Sequence, residues 1–132
     1  MSTSIPDTRP PTILVIENEV SNRILIERVL STRGYRCIPA SNGREALEVL
    51  DHERVDLILT DLSMPVLDGY RTTQLIRARP GLEKVPIVAV TAFALSDEGE
   101  AARQIGCTEY LTKPFKPRQL LEVVDRLLPP KA

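Results

Sequence analysis

Five short apolar runs decide what this chain can fold into: residues 13–16 (ILVI), 35–39 (YRCIP), 55–59 (VDLIL), 87–90 (IVAV) and 108–112 (TEYLT). Each has the length of a strand, and each is separated from the next by a stretch with helical spacing. No two runs are joined by a hairpin turn, so the connections must be crossovers. Crossovers through helices give a parallel sheet covered on both faces. Ile13-Leu14-Val15-Ile16 and Ile87-Val88-Ala89-Val90 lack the polar alternation of a half-exposed strand, as burial on both sides requires. The expected fold is α/β: a doubly wound, five-stranded parallel sheet with five helices on its two faces.

The helical stretches carry their own punctuation. Over 20–33, Leu25, Ile26, Val29 and Leu30 recur at helical spacing, and Gly34 supplies the stop. Asn42 and Glu45 stand at capping-box spacing, with Ala46, Leu47 and Leu50 as the buried face of the second helix. A third helix over 69–79 turns Leu75 and Ile76 inward and closes at Pro80-Gly81. The stretch 94–105 is a weaker helix, with Gly99 inside it and Gly106 at its end. The last, over 116–128, has a wide stripe of Leu120, Leu121, Val124, Leu127 and Leu128, and Pro129-Pro130 stops it.

One domain over 12–128 accounts for this pattern, with a disordered, proline-punctuated lead over 1–11 and a short tail over 129–132. Met1 and the Pro-Pro-Lys-Ala tail suggest a free-standing protein, monomeric or weakly dimeric. The net charge of −1 offers nothing to nucleic acid or an anionic membrane. The apolar runs are far too short to span a bilayer, and the start lacks the apolar core of a signal peptide. Cys37 and Cys107 show no metal spacing and read as structural thiols of a cytoplasmic protein.

In a parallel sheet all strand C-termini lie on one edge, so the residues just past each apolar run become neighbours. Here they are Glu17 and Asn18, Asp61, Thr91 and Lys113. Each has a plain explanation alone: a turn aspartate, a helix cap for Asn18, a strand-end hydroxyl, a solvated ammonium. Together they make a site. Oxygen ligands beside an ammonium suit a hard divalent cation and a phosphoryl group. Asp61 can act as nucleophile and become an acyl phosphate, Lys113 can offset the charge that develops, and Thr91 can hydrogen-bond a phosphoryl oxygen. No GxxxxGK[ST] loop is present, so the phosphoryl donor must come from outside.

Over residues 12–128 the chain resembles the response-regulator receiver domains, the CheY-like family with a flavodoxin-like fold. The matching blocks are ILVIEN, the SNR opening of the first helix, GYRCIPASNGREALEVL, DLILTDLSMPVLDGY, PIVAVTAFA and EYLTKPF. The resemblance implies the strand order 2-1-3-4-5, for which CheY is itself a standard example. It implies that Asp61 is the phosphoacceptor, that Lys113 contacts the phosphoryl group, and that Thr91 and Tyr110 form a switch pair. It further implies a Mg²⁺ ion held by Asp61, by Asn18, by Glu17 through water and by the Ser63 backbone carbonyl, and a cis Lys113-Pro114 bond. The implied partners are a sensor histidine kinase or histidine phosphotransfer protein as donor. The output is an unidentified protein target on the face of the expected fourth helix, fifth strand and last helix.

The chain departs from the family at its acidic pair: Glu17-Asn18 stands where an acid usually fills both places. Two unit charges about 4 Å apart interact by roughly 4 kcal/mol at an effective dielectric near about 20, and a dication doubles that before desolvation is subtracted. A neutral amide at 18 therefore weakens the expected metal site. That opens a second expectation, a pseudo-receiver that binds partners without Mg²⁺-dependent phosphorylation. Glu19, close by, is expected to serve the helix start. An aspartate-nucleophile phosphohydrolase is the enzyme-class alternative, but such enzymes carry a second aspartate two residues on, where this chain has Ser63. His52 and the scattered Arg77, Arg79, Arg103, Arg118 and Arg126 read as solvated side chains.

Overall fold

Alternation along each strand sorts the apolar side chains into two layers, one on each face of the sheet. The computed structural model describes residues 10–62, 69–91 and 106–128. It contains β1 (Thr12–Ile16), α1 (Val20–Ser31), β2 (Arg36–Ala40), α2 (Gly43–His52), β3 (Leu57–Asp61), α3 (Gly69–Arg77), β4 (Ile87–Thr91), β5 (Glu109–Thr112) and α4 (Pro117–Leu127). The strands form one parallel sheet of order β2-β1-β3-β4-β5, the order the resemblance implied. The expected helix over 94–105, Ser63, and both terminal segments lie outside the described residues.

On one face Leu14, Ile16, Ile58, Ile87 and Ala89 pack against Ala46 of α2 and Ile76 of α3. On the other, Ile13, Val15, Leu57, Leu59, Val88 and Val90 pack against Ile26 and Leu30 of α1 and Leu120, Val123 and Val124 of α4. Burying each large apolar side chain is worth about 1.5–3 kcal/mol, so these layers, more than helix propensity, hold the helices in place.

The helix starts follow the sequence signals with two adjustments. Asn42 Oδ1 accepts the Glu45 N–H at 2.9 Å, while Glu45 Oε1 accepts the Ser41 N–H at 2.7 Å, one residue before the cap. The cap of α1 is Glu19, whose Oε1 accepts the Ser21 N–H at 3.1 Å. Asn18 therefore does not cap the helix, and it is exposed. The first helix also buries fewer residues than its spacing suggested. Ile26 and Leu30 reach the core, but Leu25 is 54% exposed, beside exposed Val20 and Ile24. Successive helix positions differ by about 100°, and the i, i+4 pair of Ile26 and Leu30 claims the sheet side. Leu75 is likewise only half-buried next to fully buried Ile76.

Candidate functional site

The strand registers assemble the site. Ile16 lies opposite Thr60, Asp61 opposite Val90, and Thr91 opposite Thr112. Glu17, Asp61, Thr91 and Lys113 thus occupy neighbouring places along one sheet edge. Backbone bonds continue just past the strands: Glu17 N–H to Ala40 O (2.9 Å), Leu62 N–H to Val90 O (3.2 Å) and Lys113 N–H to Thr91 O (2.8 Å). The site residues are held by the ladder itself.

Asp61 follows Leu57 and Leu59 in strand alternation, Glu17 follows Ile13 and Val15, and Lys113 follows Leu111. All three therefore sit toward the layer that contains those leucines, isoleucine and valine. Lys113 Nζ donates to Asp61 Oδ2 at 2.8 Å and lies 3.6 Å from Glu17 Oε1. The other Glu17 oxygen, Oε2, accepts the Glu19 N–H at 3.0 Å. The side chains of Glu17 and Asp61 are only 3% and 8% exposed, against 31% for Lys113. Burial by itself would lower the Lys113 pKa, but the hydrogen bond to Asp61 and the charges of Asp61 and Glu17 outweigh it and raise it. The lysine is held as an ammonium.

Two buried carboxylates facing one ammonium leave a net negative centre lined by oxygen, which fits a hard cation such as Mg²⁺ in kind. Asp61 and Glu17 would hold it, with Asn18 able to add only a neutral amide oxygen. No group of three or more His, Cys, Asp or Glu side chains suited to a metal ion occurs among the described residues.

Thr91 is buried at the end of β4. Its alternation places it with Ile87 and Ala89, in the layer against which half-buried Tyr110 packs, and Ala89 lies opposite Tyr110 in the sheet. The structure thus divides the expected residues into a charged trio on one face and the Thr91–Tyr110 pair toward the other. The Lys113-Pro114 bond is cis. Beside the trio, a groove of ≈ 440 Å³ is lined by Leu25 and Ile26 of α1 and by Pro114 and Phe115, together with Glu17 and Lys113.

One residue read as solvated is not. Arg77 is half-buried, and its guanidinium donates to the backbone carbonyls of Gly106 (3.0 and 2.8 Å), Leu82 (3.0 Å) and Val85 (2.6 Å). Apart from Thr108 Oγ1 at 3.4 Å, the acceptors are backbone atoms, which leave no residue-type signal in the sequence. Arg79 and Arg126 do form surface ion pairs, with Asp51 and Glu109, and His52 ends α2 exposed.

Comparison with known proteins agrees with this geometry. The family profile described as the response regulator receiver domain matches residues 13–125. The polar-differentiation response regulator DivK of Brucella anthropi is 33% identical over 90% of this chain and 97% of its own length. The sensor histidine kinase GacS of Pseudomonas protegens is 38% identical over 89% of this chain, which spans only 13% of that protein. Among solved structures, the receiver domain of a Pseudomonas aeruginosa sensor histidine kinase, with a magnesium ion coordinated in its active site cleft, superposes with a TM-score of 0.83. It is 39% identical, covering 89% of this chain and 97% of that one. A chemotaxis response regulator of Vibrio cholerae gives a TM-score of 0.86 at 29% identity, covering 90% and 99%. The chain belongs to the response-regulator receiver family of two-component signalling. No helix among the described residues is long and apolar enough to cross a membrane.

Proposed function

We propose that this receiver, acting in the cytoplasm, takes a phosphoryl group on Asp61 from a sensor histidine kinase or histidine phosphotransfer protein and passes the signal on by protein contact. The observation that carries the reading is the pairing of a buried Asp61 carboxylate with the Lys113 ammonium at 2.8 Å. An Asp61 oxygen attacks phosphorus, the bond from phosphorus to the donor nitrogen breaks, and the imidazole leaves. Lys113 stays beside the acceptor and offsets the charge carried onto it. Mg²⁺ held by Asp61 and Asn18, by Glu17 through water and by the Ser63 carbonyl would add positive charge at the same oxygens. The new acyl phosphate carries about −1.5 to −2 charges at the sheet edge in place of the single charge of the Asp61 carboxylate. Thr91 answers that charge through its hydroxyl, and Tyr110, packed in the same layer, carries the change toward the surface of β5 and α4. Val20, Ile24 and Leu25 of α1 are exposed, and Leu25 lines the groove that also contains Lys113, which supports a protein rather than a free metabolite as donor. The role is that of a phosphoacceptor in signalling, one that at most assists its own modification and its reversal.

The reading is tested by incubating the protein with a small-molecule phosphodonor and Mg²⁺ and measuring intact mass. One phosphoryl adduct is expected on the natural chain and none on Asp61→Ala; identical spectra would overturn it. Exposed, uncharged Asn18 favours a second reading, a pseudo-receiver that binds partners without the metal. There, the natural chain shows no Mg²⁺ binding at millimolar concentration and no adduct, and Asn18→Asp gains both. Ready phosphorylation of the natural chain eliminates this second reading.

A further inference from the structure

Glu17 makes its contacts only if the turn that follows β1 keeps its shape, and one side chain from α1 holds that turn. Arg23 Nη1 donates to the Glu17 backbone carbonyl at 2.9 Å and to Ser41 Oγ at 3.2 Å. The Arg23 N–H in turn donates to the Glu19 carbonyl at 3.0 Å. Glu19 caps α1 and gives its own N–H to Glu17 Oε2. The Glu17 N–H is already bonded to Ala40 O. Three atoms of Glu17, its N, O and Oε2, are therefore fixed from three directions, and Arg23 supplies the only side-chain anchor among them.

Its second acceptor ties this turn to the loop after β2. The Ser41 N–H donates to Glu45 Oε1 at the start of α2, so Arg23 spans the ends of two neighbouring strands. The guanidinium uses its charge on neutral oxygens: among the described residues no carboxylate forms an ion pair with it. A cation placed beside a candidate cation site without neutralising an acid would weaken that site by repulsion alone. It is of use there only through geometry.

We propose that Arg23 is a positioning residue: by clamping the Glu17 carbonyl to Ser41 it keeps the Glu17 carboxylate turned toward Lys113 and Asp61. This rests on the reading of that centre as a Mg²⁺-assisted phosphoacceptor site. Its sign separates it from the alternatives. Loss of the clamp frees Glu17 and weakens Mg²⁺ binding, whereas loss of a merely repelling charge strengthens it.

The experiment compares the natural chain with Arg23→Ala and Arg23→Lys. In the metal-free proteins, amide exchange is read at Glu19, whose N–H reports the Glu17 carboxylate, and at Ile58 and Leu59 in the core. Arg23→Ala is expected to speed exchange at Glu19 while leaving Ile58 and Leu59 unchanged, with Arg23→Lys in between. Calorimetric titration with Mg²⁺ is expected to show binding weakened by about tenfold in Arg23→Ala, the low end of what loss of an outer partner of a metal ligand costs. Unchanged Glu19 exchange, a loss of protection spread through the core, or tighter Mg²⁺ binding each overturns the proposal. Should the natural chain bind no Mg²⁺ at millimolar concentration, the metal reading fails, and exchange at Glu19 alone decides for or against the clamp.

Discussion

The Lys113 ammonium reaches Asp61 Oδ2 across 2.8 Å and so joins the fifth strand to the third, over the β4 strand that lies between them. The same ammonium stands 3.6 Å from Glu17 on the first strand. One side chain therefore compensates carboxylates from two other strands, and its removal takes the ammonium away from two buried acids. Lys113→Met is expected to lower stability by about 1–2 kcal/mol in urea unfolding at neutral pH, a buried-pair cost discounted for the solvent that reaches the lysine. In an Asp61→Asn background the same substitution should cost less, because one of the stranded charges is gone. Equal costs in the two backgrounds would show that the pair is not coupled.

Gly69 packs directly against the segment that carries Asp61. A Cβ there would lie 2.5 Å from the Asp61 carbonyl oxygen and 2.6 Å from Leu62 Cα. Both are backbone atoms of the segment that carries the candidate acceptor, and the Gly69 N–H bonds Leu62 O at 3.2 Å. Neither can move without shifting Asp61. Gly69→Ala is expected to destabilise the fold by about 2–4 kcal/mol, at or above the upper range for overpacking, since no flexible side chain can give way. It should also slow phosphoryl uptake. Thermal unfolding and intact-mass kinetics check the two effects, and a variant as stable as the natural chain would show that the segment relaxes.

What could be read in advance follows from what leaves a trace in residue type. Parallel strands announce themselves as unbroken apolar runs, so β1, β3 and β4 were legible, and with them the edge where Glu17, Asp61, Thr91 and Lys113 meet. Tyr35, Leu25 and Leu75 were less so: Tyr35 stops just short of β2, and the two leucines lie beside residues that take the sheet side. A hydrophobic pattern gives the period of a helix but not its rotation to within one residue. Arg77 and Arg23 were illegible because their partners are mostly carbonyl oxygens, which every residue carries alike. Blocks such as DLILTDLSMPVLDGY added through family resemblance what no spacing supplies, including the strand order.

Arg77 illustrates the energetic weight of such invisible contacts. It ties the end of α3 to the backbone before β4 and to Gly106 before β5. Gly106 has φ 111°, a left-handed value that suits glycine, and an added Cβ would meet the Arg77 side chain at 3.0 Å. Arg77→Ala strands several carbonyls at once, with an expected loss of about 2–4 kcal/mol by chemical denaturation. Arg77→Lys should recover only part of this, because an ammonium lacks the planar fork that serves Gly106, Leu82 and Val85 together. Full recovery by lysine would reduce the role of Arg77 to charge and length.

The alkaline side of the stability curve should carry the mark of two half-buried acids far from the site. Burial, with the Glu27 charge behind it, pushes the Cys37 thiol from 9.0 up to about 11. Burial, then the hydrogen bond to Asp125 and its charge, pushes the Tyr35 hydroxyl from 10.0 up to about 12, against the opposing pull of Arg33. Both groups hold their proton more tightly when folded. The stability they contribute is therefore complete below the ordinary values of 9.0 and 10.0 and is lost as pH rises through about 11 and about 12. Urea midpoints measured from pH 7 upward should begin to fall near pH 9.0 in the natural chain. Cys37→Ala should delay that onset toward 10.0, where Tyr35 takes over. Tyr35→Phe, which gives up the Asp125 bond at every lower pH, should start less stable yet lose less between 10.0 and about 12. Parallel curves for all three proteins would place the alkaline loss elsewhere in the molecule.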